Sequence, residues 1–256
     1  MPPAVRAAGL VKRYGALTAV EGLDLEIAPG EFLGLLGPNG SGKTTTLHML
    51  ATLLRPDAGS AQVAGFDIAR DPLRVRASIG LVFQESALDR TLTVAQNLRF
   101  AGLLHGLPAR AIEDRARELL ELFDLGARRH HPVGALSGGM RRALDIARGV
   151  LHEPSCLLLD APTTGLDLPN RRRIWRFIER LRARTGMTVL LSTHYLEEAE
   201  ACDRVVFMRK GRLVESGAPR ELSARLARHV ATLEGARLEA DLNDVFLWVA
   251  DGKVLG

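Results

Sequence analysis

The sequence is poor in cysteine and in long apolar runs, and each shortage narrows what the protein can be. Its two cysteines, Cys156 and Cys202, lie in apolar surroundings and lack CxxC spacing. This pattern argues against a disulfide framework or a zinc site and fits a reducing cytosol. The longest apolar runs, such as Phe32–Leu36, are far shorter than the ~20 residues that cross a bilayer. Any role in a membrane therefore requires other chains.

The sequence also lacks the features of secreted and of nucleic-acid-binding proteins. Residues 1–9 contain no apolar core of a signal peptide. Aromatic residues make up only 5% of the chain, no basic run is interleaved with them, and the net charge is a modest +4. Nucleic acid is therefore not an expected partner.

The pattern of the remaining residues predicts an α/β fold. With 46% hydrophobic residues among 256, the chain suits one large domain or a domain with an inserted lobe. Strand-like and helical segments alternate, which predicts a largely parallel sheet. The predicted strands are residues 5–11, 23–27, 32–36, 79–83, 156–159, 188–191, 204–208 and 212–216. The predicted helices are residues 43–53, 94–104, 111–123, 140–151, 170–184 and 195–201, with another from about 221 and a weak pattern over 237–249.

A predominantly helical segment interrupts this alternation. Between Thr91 and about Gly134, apolar residues recur at helical spacing in two stretches, 94–104 and 111–123. Pro108 marks the break between them. We therefore predict that a helical lobe is inserted into the α/β fold.

The strongest local signal is a complete GxxxxGK[ST] motif between a predicted strand and a predicted helix. Its glycines let backbone N–H groups turn towards phosphate oxygens, and the following helix directs its N-terminus at the same anion. Lys43 should reach the β- and γ-phosphates, and the Thr44 hydroxyl should bind Mg²⁺. A plain glycine-rich turn is the alternative, which the flanking strand and helix disfavour. The candidate phosphate-binding residues are Gly37, Pro38, Asn39, Gly40, Ser41, Gly42, Lys43, Thr44 and Thr45.

A site of this kind also needs an acidic residue at the end of a buried strand. Residues 156–159 are apolar, and Asp160 follows them. By itself an apolar run that ends in aspartate is a weak signal, because many core strands end in this way. Together with the phosphate-binding motif, it makes Asp160 a candidate ligand for Mg²⁺.

Another helix begins at the sequence Leu-Ser-Gly-Gly-Met, residues 136–140. The Ser137 hydroxyl and the bare amides of Gly138 and Gly139 suit an anion at a helix N-terminus. Read alone, Ser137 could equally be a simple N-cap. A chain with two phosphate-binding helix starts suggests two copies arranged head to tail, with each nucleotide held between one start of each kind.

In these motifs and their order, the sequence resembles the ATP-binding cassette (ABC) family over essentially the whole chain. The resemblance also rests on Leu-Leu-Leu-Asp-Ala-Pro-Thr-Thr-Gly-Leu-Asp at 157–167, on Gln84 after a predicted strand, and on Ser-Thr-His at 192–194. It implies a P-loop NTPase fold, with a RecA-like α/β core, an antiparallel β subdomain and an inserted helical subdomain at about 84–151. The chain would be a single ATP-binding domain over 1–256, with a C-terminal extension from about 221.

The resemblance further implies roles for individual residues. Tyr14 would stack on adenine, unless it is an ordinary aromatic at a strand end. Gln84 would contact Mg²⁺ and the attacking water, and His194 would contact the γ-phosphate. The implied metal ligands are Thr44, Gln84 and Asp160. The residues implied to act across a dimer interface are Ser137, Gly138, Gly139 and Asp167.

One residue departs from the family pattern. The family has glutamate directly after the aspartate of the buried strand, and that carboxylate polarises the attacking water, whereas this chain has Ala161. A methyl group can neither accept a proton nor orient water. General-base contributions run to roughly 10²–10⁴-fold, so we expect hydrolysis to be slowed by about 3–5 kcal/mol of barrier. Two explanations compete: an engineered substitution that traps an ATP-bound dimer, which we favour because every other motif matches, and a natural degenerate site paired with a competent partner.

Softer signals indicate one branch of the family. Residues 37–47 with their three threonines, together with 88–93, 97–98, 194–200 and 242–246, resemble the drug- and lipid-exporting branch of daunorubicin-resistance pumps, nodulation-factor exporters and sodium extruders. The implied partners are transmembrane permease subunits and a second copy of this chain or a related ATP-binding subunit. The implied cofactors are ATP and Mg²⁺, and the implied location is the cytoplasmic face of the cell membrane.

Two rival functions remain open. A soluble cassette protein acting on DNA or ribosomes is disfavoured, because chromosome-maintenance relatives separate the two motifs by long coiled coils and translation-factor relatives carry two cassettes in one chain. A non-catalytic scaffold gated by ATP follows directly from Ala161. Turnover measured before and after Ala161→Glu would distinguish the scaffold from an ATPase.

Overall fold

The computed structural model describes residues 2–234 and 240–252 and divides into two compact units. The first unit is discontinuous and comprises Met1–Val75 with Thr188–Gly256, and the second is the intervening segment Arg76–Met187. The strands of the described ranges are β1 Val5–Tyr14, β2 Leu17–Ile27, β3 Phe32–Leu36, β4 Ala58–Val63, β5 Phe66–Asp67, β6 Ile79–Val82, β7 Cys156–Asp160, β8 Thr188–Thr193, β9 Arg204–Arg209 and β10 Arg212–Gly217. The helices are α1 Lys43–Leu50, α2 Pro72–Ser78, α3 Val94–Leu104, α4 Ala109–Leu122, α5 Gly138–Val150, α6 Leu168–Thr185, α7 Leu196–Ala199, α8 Pro219–Glu234 and α9 Leu242–Ala250, with short 3-10 turns at Gly126–Arg128 and Val133–Ala135.

The first unit contains an antiparallel sheet with the strand order β2-β1-β4-β5. Val5 of β1 pairs with Ile27 on one side and with Val63 on the other. Buried and exposed residues alternate along much of β1 and β2, with Leu10 and Leu23 in the core. The sheet therefore covers the core with one face and meets solvent with the other. The strands predicted at 5–11 and 23–27 are confirmed, and both are longer than predicted.

A second group of strands in the first unit positions the functional loops. β3 pairs in parallel with β8 and with β9, and β10 pairs antiparallel with β9. All residues of β3 and β8 are buried, as expected of parallel strands covered on both faces. Leu36, the last residue of β3, pairs with Thr193 and with Phe207. The segments beyond these residues therefore lie at the same edge.

The second unit contains the parallel strands β6 and β7 and the helices α3, α4, α5 and α6. Val82, the last residue of β6, pairs with Leu159 of β7, so residues 83–84 and Asp160 lie at one edge. The helices α3 and α4 pack together, and α5 contacts α3, α4 and α6. The helical segment predicted between residues 91 and 134 is confirmed, and α3 has the predicted bounds.

Local capping determines where two of these helices begin. At the start of α3, the Thr93 hydroxyl accepts the Gln96 N–H while the Gln96 amide oxygen accepts the Thr93 N–H. This reciprocal arrangement is a capping box, which satisfies two backbone donors that a helix start otherwise leaves unpaired. At the start of α6, the Asp167 carboxylate accepts the Asn170 N–H at 2.9 Å. Helix α6 ends at Gly186, whose φ of 66° is the left-handed conformation that glycine adopts without steric cost.

The structure differs from the sequence prediction in several elements. The prediction omits β4, β5 and α2, because Ala58–Val63 consists largely of small and polar residues and only Ala61 and Val63 are buried. The helix predicted over 43–53 ends at Leu50, and the one predicted over 195–201 is the single turn Leu196–Ala199.

The two units differ in their bounds from the predicted subdomains. The second unit contains the predicted helical subdomain, 84–151, together with β6, β7 and α6, and the narrower bounds stay a prediction. The extension predicted from about 221 contains most of α8 and all of α9. Residues 235–239 and 253–256 of that extension lie outside the described residues.

In the described part of the chain, none of the helices is long and apolar enough to span a bilayer. Both cysteines are free and buried. Burial raises the pKa of the Cys156 thiol to about 12, which keeps it in its unreactive protonated form. Residues 2–234 and 240–252 also contain no group of three or more His, Cys, Asp or Glu side chains that could hold a metal ion.

Candidate functional site

The loop between β3 and α1 is built from glycines in conformations that other residues avoid. Gly37, Gly40 and Gly42 have φ angles of 154°, 78° and 104°. A Cβ atom on Gly37 would collide with the carbonyl oxygen of Met208, and one on Gly42 would collide with that of Ala19. Both the backbone conformation and the close approach of neighbouring chain therefore require glycine at these two positions.

Lys43, the first residue of α1, is held inside this loop. Its side chain is buried, and its Nζ donates to the carbonyl oxygens of Gly37 at 2.7 Å and Pro38 at 3.0 Å. The loop thus curls around the ammonium group, which places a positive charge at the start of a helix. Phosphate oxygens are the ligands that suit this arrangement.

Two further observations test whether the loop fits an anion. No side chain caps α1 at Gly42, and the first turn of α1 contains no acidic residue that would repel an anion. Among the described residues, the buried Ser41 hydroxyl oxygen has no hydrogen-bond partner. A buried hydroxyl without a partner is costly, and a phosphate oxygen would satisfy it. The residues present therefore fit a phosphate group.

The structure brings His194 to the same edge as this loop. Leu36 precedes the loop and pairs with Thr193, so His194 follows directly on the neighbouring strand. The Thr193 hydroxyl donates to the buried Glu198 carboxylate and accepts the Tyr195 N–H, which fixes the backbone on both sides of His194. The exposed imidazole of His194 lies 4.1 Å from the Tyr195 ring, measured between centroids.

Tyr14 lies in the hairpin between β1 and β2. The residue is 46% exposed, and the Lys12 ammonium is 5.8 Å from the ring centroid. Ala19 of the same hairpin contacts Gly42, as shown by the collision that a Gly42 Cβ would meet there. The hairpin therefore adjoins the glycine loop, and an exposed aromatic face is available in it. Its contact with adenine stays a prediction.

In the second unit, the structure brings Gln84 and Asp160 to one edge. Asp160 ends β7 and is 3% exposed, while Gln84 follows β6, the strand paired with β7. The Gln84 side chain is exposed, and its backbone carbonyl accepts a hydrogen bond from Arg142. A carboxylate and an amide oxygen at adjoining strand ends are suitable ligands for Mg²⁺.

Ala161 occupies the position directly after Asp160 in an unusual backbone conformation. Its φ of 45° lies in the left-handed region, which is uncommon for residues other than glycine. The turn is held by two backbone hydrogen bonds, from Thr164 N–H to the Ala161 carbonyl at 3.3 Å and from Leu166 N–H to the Thr163 carbonyl at 3.0 Å. The side chain at this position is a methyl group, which offers no polar atom to a water molecule.

Ser137 and Asp167 lie at the starts of two helices that pack together. The Ser137 hydroxyl accepts the Met140 N–H at 3.3 Å, so Ser137 is the N-cap of α5. A Cβ on Gly139 would collide with the Asn170 side chain in the first turn of α6. Gly139 is therefore required for the close approach of the two helix starts. The predicted contacts of these residues with a second protomer stay predictions.

Sequence reasoning missed a group of buried charges on α5. Arg142 and Asp145 are 7% and 4% exposed, and Arg142 donates to the backbone of residues 83 and 84. Burial is the main reason that the pKa of Asp145 is raised, and burial lowers the pKa of Arg142. Two charged residues three positions apart on the otherwise buried face of a helix were the available signal.

Comparison with known proteins decides the family. The family described as ABC transporter matches residues 20–164, which is more than half of the chain. The chain belongs to the ABC transporter family. This ABC protein has the motifs of an ATP-binding member, as the sequence predicted.

Named relatives of this ABC protein are similar over most of its length. It is 48% identical over 222 residues to the daunorubicin resistance ATP-binding protein DrrA3 of Streptomyces coeruleorubidus, a match that covers 86% of this chain and 70% of the relative. It is 46% identical over 221 residues to the Nod factor export ATP-binding protein I of Ralstonia nicotianae, covering 86% and 68%. The predicted resemblance to the ABC family, and to its branch of daunorubicin-resistance and nodulation-factor type, is confirmed.

Solved structures confirm the fold class. Structural comparison with cbiO1 from Clostridium perfringens, part of the ABC transporter complex cbiONQ, gives a TM-score of 0.81 at 27% identity, covering 92% of this chain and 97% of that one. A dimeric ATP-binding cassette in a post-hydrolysis state with ADP and Pi gives 0.76 at 26% identity, covering 84% and 98%. The predicted α/β P-loop NTPase fold is therefore confirmed.

Proposed function

We propose that this chain binds Mg-ATP and works as the ATP-binding subunit of an ABC exporter. The observation that carries the proposal is the glycine loop closed around the buried Lys43 ammonium. The backbone amides of the loop and Lys43 would hold the phosphates, and Tyr14 would stack on the base. His194, which follows the strand beside the loop, would contact the γ-phosphate.

The ligands proposed for Mg²⁺ are Thr44, Gln84 and Asp160. The described part of the chain contains no group of three His, Cys, Asp or Glu side chains that could hold a metal ion by themselves, so the ion would need nucleotide oxygens as further ligands. When bound, Mg²⁺ supplies charge that stabilises the phosphoryl oxygens during transfer. Binding of the metal should therefore depend on the nucleotide.

The proposed working form is a head-to-tail dimer. The starts of α1 and α5 are both suited to phosphate, and each nucleotide would be held between the α1 loop of one protomer and the Ser137–Gly139 turn of the other. Asp167, which caps the helix packed against that turn, would lie in the interface. The solved relative described as dimeric supports this arrangement.

Ala161 makes this chain a hydrolysis-impaired ATPase in our proposal. All the predicted binding residues are present, and only the carboxylate that would orient water is missing. ATP should therefore bind and stabilise the closed dimer, while turnover is slowed by roughly 10²–10⁴-fold. An ATP-gated scaffold is the second candidate function, and it would apply if the loss of the carboxylate at position 161 abolished turnover altogether.

The proposed partners are membrane permease subunits at the cytoplasmic face of the membrane. The relatives named for daunorubicin resistance and Nod factor export suggest hydrophobic compounds as cargo. On α3, Phe100, Leu103 and Leu104 expose 55%, 55% and 71% of their surfaces. Three large apolar side chains on one helix end favour contact with another protein, and we assign this patch to the permease.

Titration with Mg-ATP tests the proposal. The chain should bind, and Lys43→Ala should weaken binding by at least about tenfold, because the buried ammonium that faces the phosphates is lost. Arg176→Ala is a matched control, since it removes an exposed positive charge of α6. Equal affinity of Lys43→Ala and the unmodified chain would refute the assignment of the loop.

A further inference from the structure

The segment of residues 83–87, which we call the Gln84 segment, is tied to α5 by a buried arginine. The Arg142 guanidinium donates from Nη1 to the Phe83 carbonyl and from Nη2 to the Gln84 carbonyl, both at 2.7 Å. These two bonds come from a charged, planar group with its donors in a fixed fork. Such hydrogen bonds are stronger and more directional than neutral ones.

Two more side chains of α5 hold the other end of the Gln84 segment. The Asp145 carboxylate lies against the same end of the segment, where hydrogen bonding by Ser86 and by the Ala87 backbone lowers its pKa against the larger effect of burial. Arg148 donates from Nη1 to the Ala87 carbonyl at 3.0 Å. The segment is thus attached to one face of one helix at both ends, although it contains no regular secondary structure of its own.

The charges that make these contacts are expensive to bury. Arg142 and Asp145 are 7% and 4% exposed, and the distance from Arg142 Nη1 to Asp145 Oδ2 is 4.0 Å. The charge of Asp160 also acts on Arg142. A buried ion pair of this kind often contributes no more to stability than apolar side chains of the same volume. What apolar side chains cannot do is fix the position of backbone carbonyls.

We propose that Arg142 is a positioning residue that locks the Gln84 segment to α5. Helix α5 begins at Ser137, the cap of the turn with Gly138 and Gly139, so this helix connects the Gln84 segment to that turn. A displacement at either end would be transmitted to the other through α5. The attachment itself needs only the contacts above, while its effect on ATP rests on the proposed role of Gln84.

Cleavage by a glutamate-specific protease tests the attachment without reference to ATP. Glu85 is exposed in the middle of the segment, but the backbone around it must open before a protease can cut. Arg142→Lys keeps the charge and loses the fork. It should speed cleavage after Glu85 by at least about tenfold, because the cleavage rate follows the population of the open segment. Cleavage after the other glutamates should be unchanged.

A matched control lies on the same helix. Arg141→Lys changes the neighbouring guanidinium, which donates to Leu136 and not to the Gln84 segment, so cleavage after Glu85 should stay within twofold. Asp145→Asn, which is isosteric and neutral, should speed cleavage after Glu85 as Arg142→Lys does. It replaces Arg142→Lys in the test if Arg142→Lys fails to fold. Rates within twofold for Arg142→Lys and Asp145→Asn would overturn the proposal.

The affinity for ATP with and without Mg²⁺ tests the consequence. Gln84→Ala and Arg142→Lys should each raise the Kd for Mg-ATP by about three- to tenfold and leave the Kd in EDTA unchanged. The double variant should be no weaker than either single variant, since both act through one contact. If Gln84→Ala has no effect, the metal role of Gln84 is wrong and the protease result alone decides the attachment. If Gln84→Ala weakens Mg-ATP binding as expected but the double variant is weaker by the sum of both effects, Arg142 does not act by positioning Gln84 and the proposal is overturned.

Discussion

At the scale of single residues, Ala161 stands in a left-handed turn at the position where we propose that a catalytic carboxylate is missing. Its φ of 45° belongs to a turn held by hydrogen bonds of the Thr164 and Leu166 amides. Alanine and glutamate both carry a Cβ and meet the same steric cost in the left-handed region. Replacing one by the other therefore changes the chemistry of the position and adds little strain.

Ala161→Glu should restore ATP turnover. We expect a gain of roughly 10²–10⁴-fold in kcat, because a carboxylate can orient the attacking water and the binding residues are unchanged. The Kd for ATP should change by less than about threefold, since the interaction acts mainly in the transition state. Phosphate release with the membrane partner present measures the rate. Ala161→Gln is the control of equal size, and equal rates for all three chains would show that another group orients water.

A histidine pair in the second unit makes stability depend on pH. The rings of His105 and His152 stack with centroids 3.6 Å apart, and His152 Nε2 lies 2.9 Å from the Ile79 carbonyl. Within the described residues, the buried Nδ1 of His152 has no hydrogen-bond partner. Burial, together with the charges of His105 and Arg115, lowers the pKa of His152 to about 4 against the opposing hydrogen bond. The folded protein therefore keeps His152 neutral.

Acidification should destabilise the fold between the unfolded pKa of about 6.5 and the folded pKa of about 4. In that range the unfolded chain binds a proton that the folded chain excludes, so stability falls as the pH falls. The loss by pH 5 should be of the order of 1 kcal/mol, allowing for solvent screening. Urea midpoints from pH 7.5 to 4.5 measure it. His152→Gln should flatten the slope, whereas His130→Gln, at an exposed site, should not.

At the scale of elements, the parts of the site that could be predicted are those set by local sequence. The glycine loop and the strand before it follow from spacing and from an unbroken apolar run, so β3 was predicted with its observed bounds. β4 could not be predicted, because its small and polar residues form a strand only where the edge of β1 offers partners. The contacts of Arg142 with residues 83 and 84 join positions 59 and 58 apart in the chain, beyond the reach of any local pattern.

The packing of α5 against α6 gives a prediction at this scale. Gly139→Ala should displace the start of α5, because the new Cβ collides with the Asn170 side chain. We expect loss of the ATP-driven dimer with the ATP affinity of the monomer kept, measured by light scattering and titration. Asn170→Ala in the same chain removes the colliding atoms and should restore much of the dimer. Normal dimerisation of Gly139→Ala alone would contradict a role for this turn in the interface.

At the scale of the whole molecule, nucleotide should control assembly. In the proposed dimer, two half-sites on separate protomers bind ATP together, and Ala161 should prolong that state since we propose that it slows hydrolysis. Gel filtration with light scattering should show a monomer without nucleotide and a dimer with Mg-ATP. Lys43→Ala should stay monomeric under both conditions. A monomer at saturating Mg-ATP would contradict the dimer for the isolated subunit.

Because the first unit is discontinuous in sequence, parts of it can fold only late during synthesis on the ribosome. β3 and its glycine loop emerge early, yet both strands that flank β3 come late, since β8 begins only at Thr188 of 256 residues. Met208, whose carbonyl closes against Gly37, comes later still. At about 5–20 residues per second, the strands that flank β3 are synthesised on the order of ten seconds after the glycine loop. The glycine loop proposed to bind phosphate can therefore reach its folded conformation only when most of the protein has been synthesised.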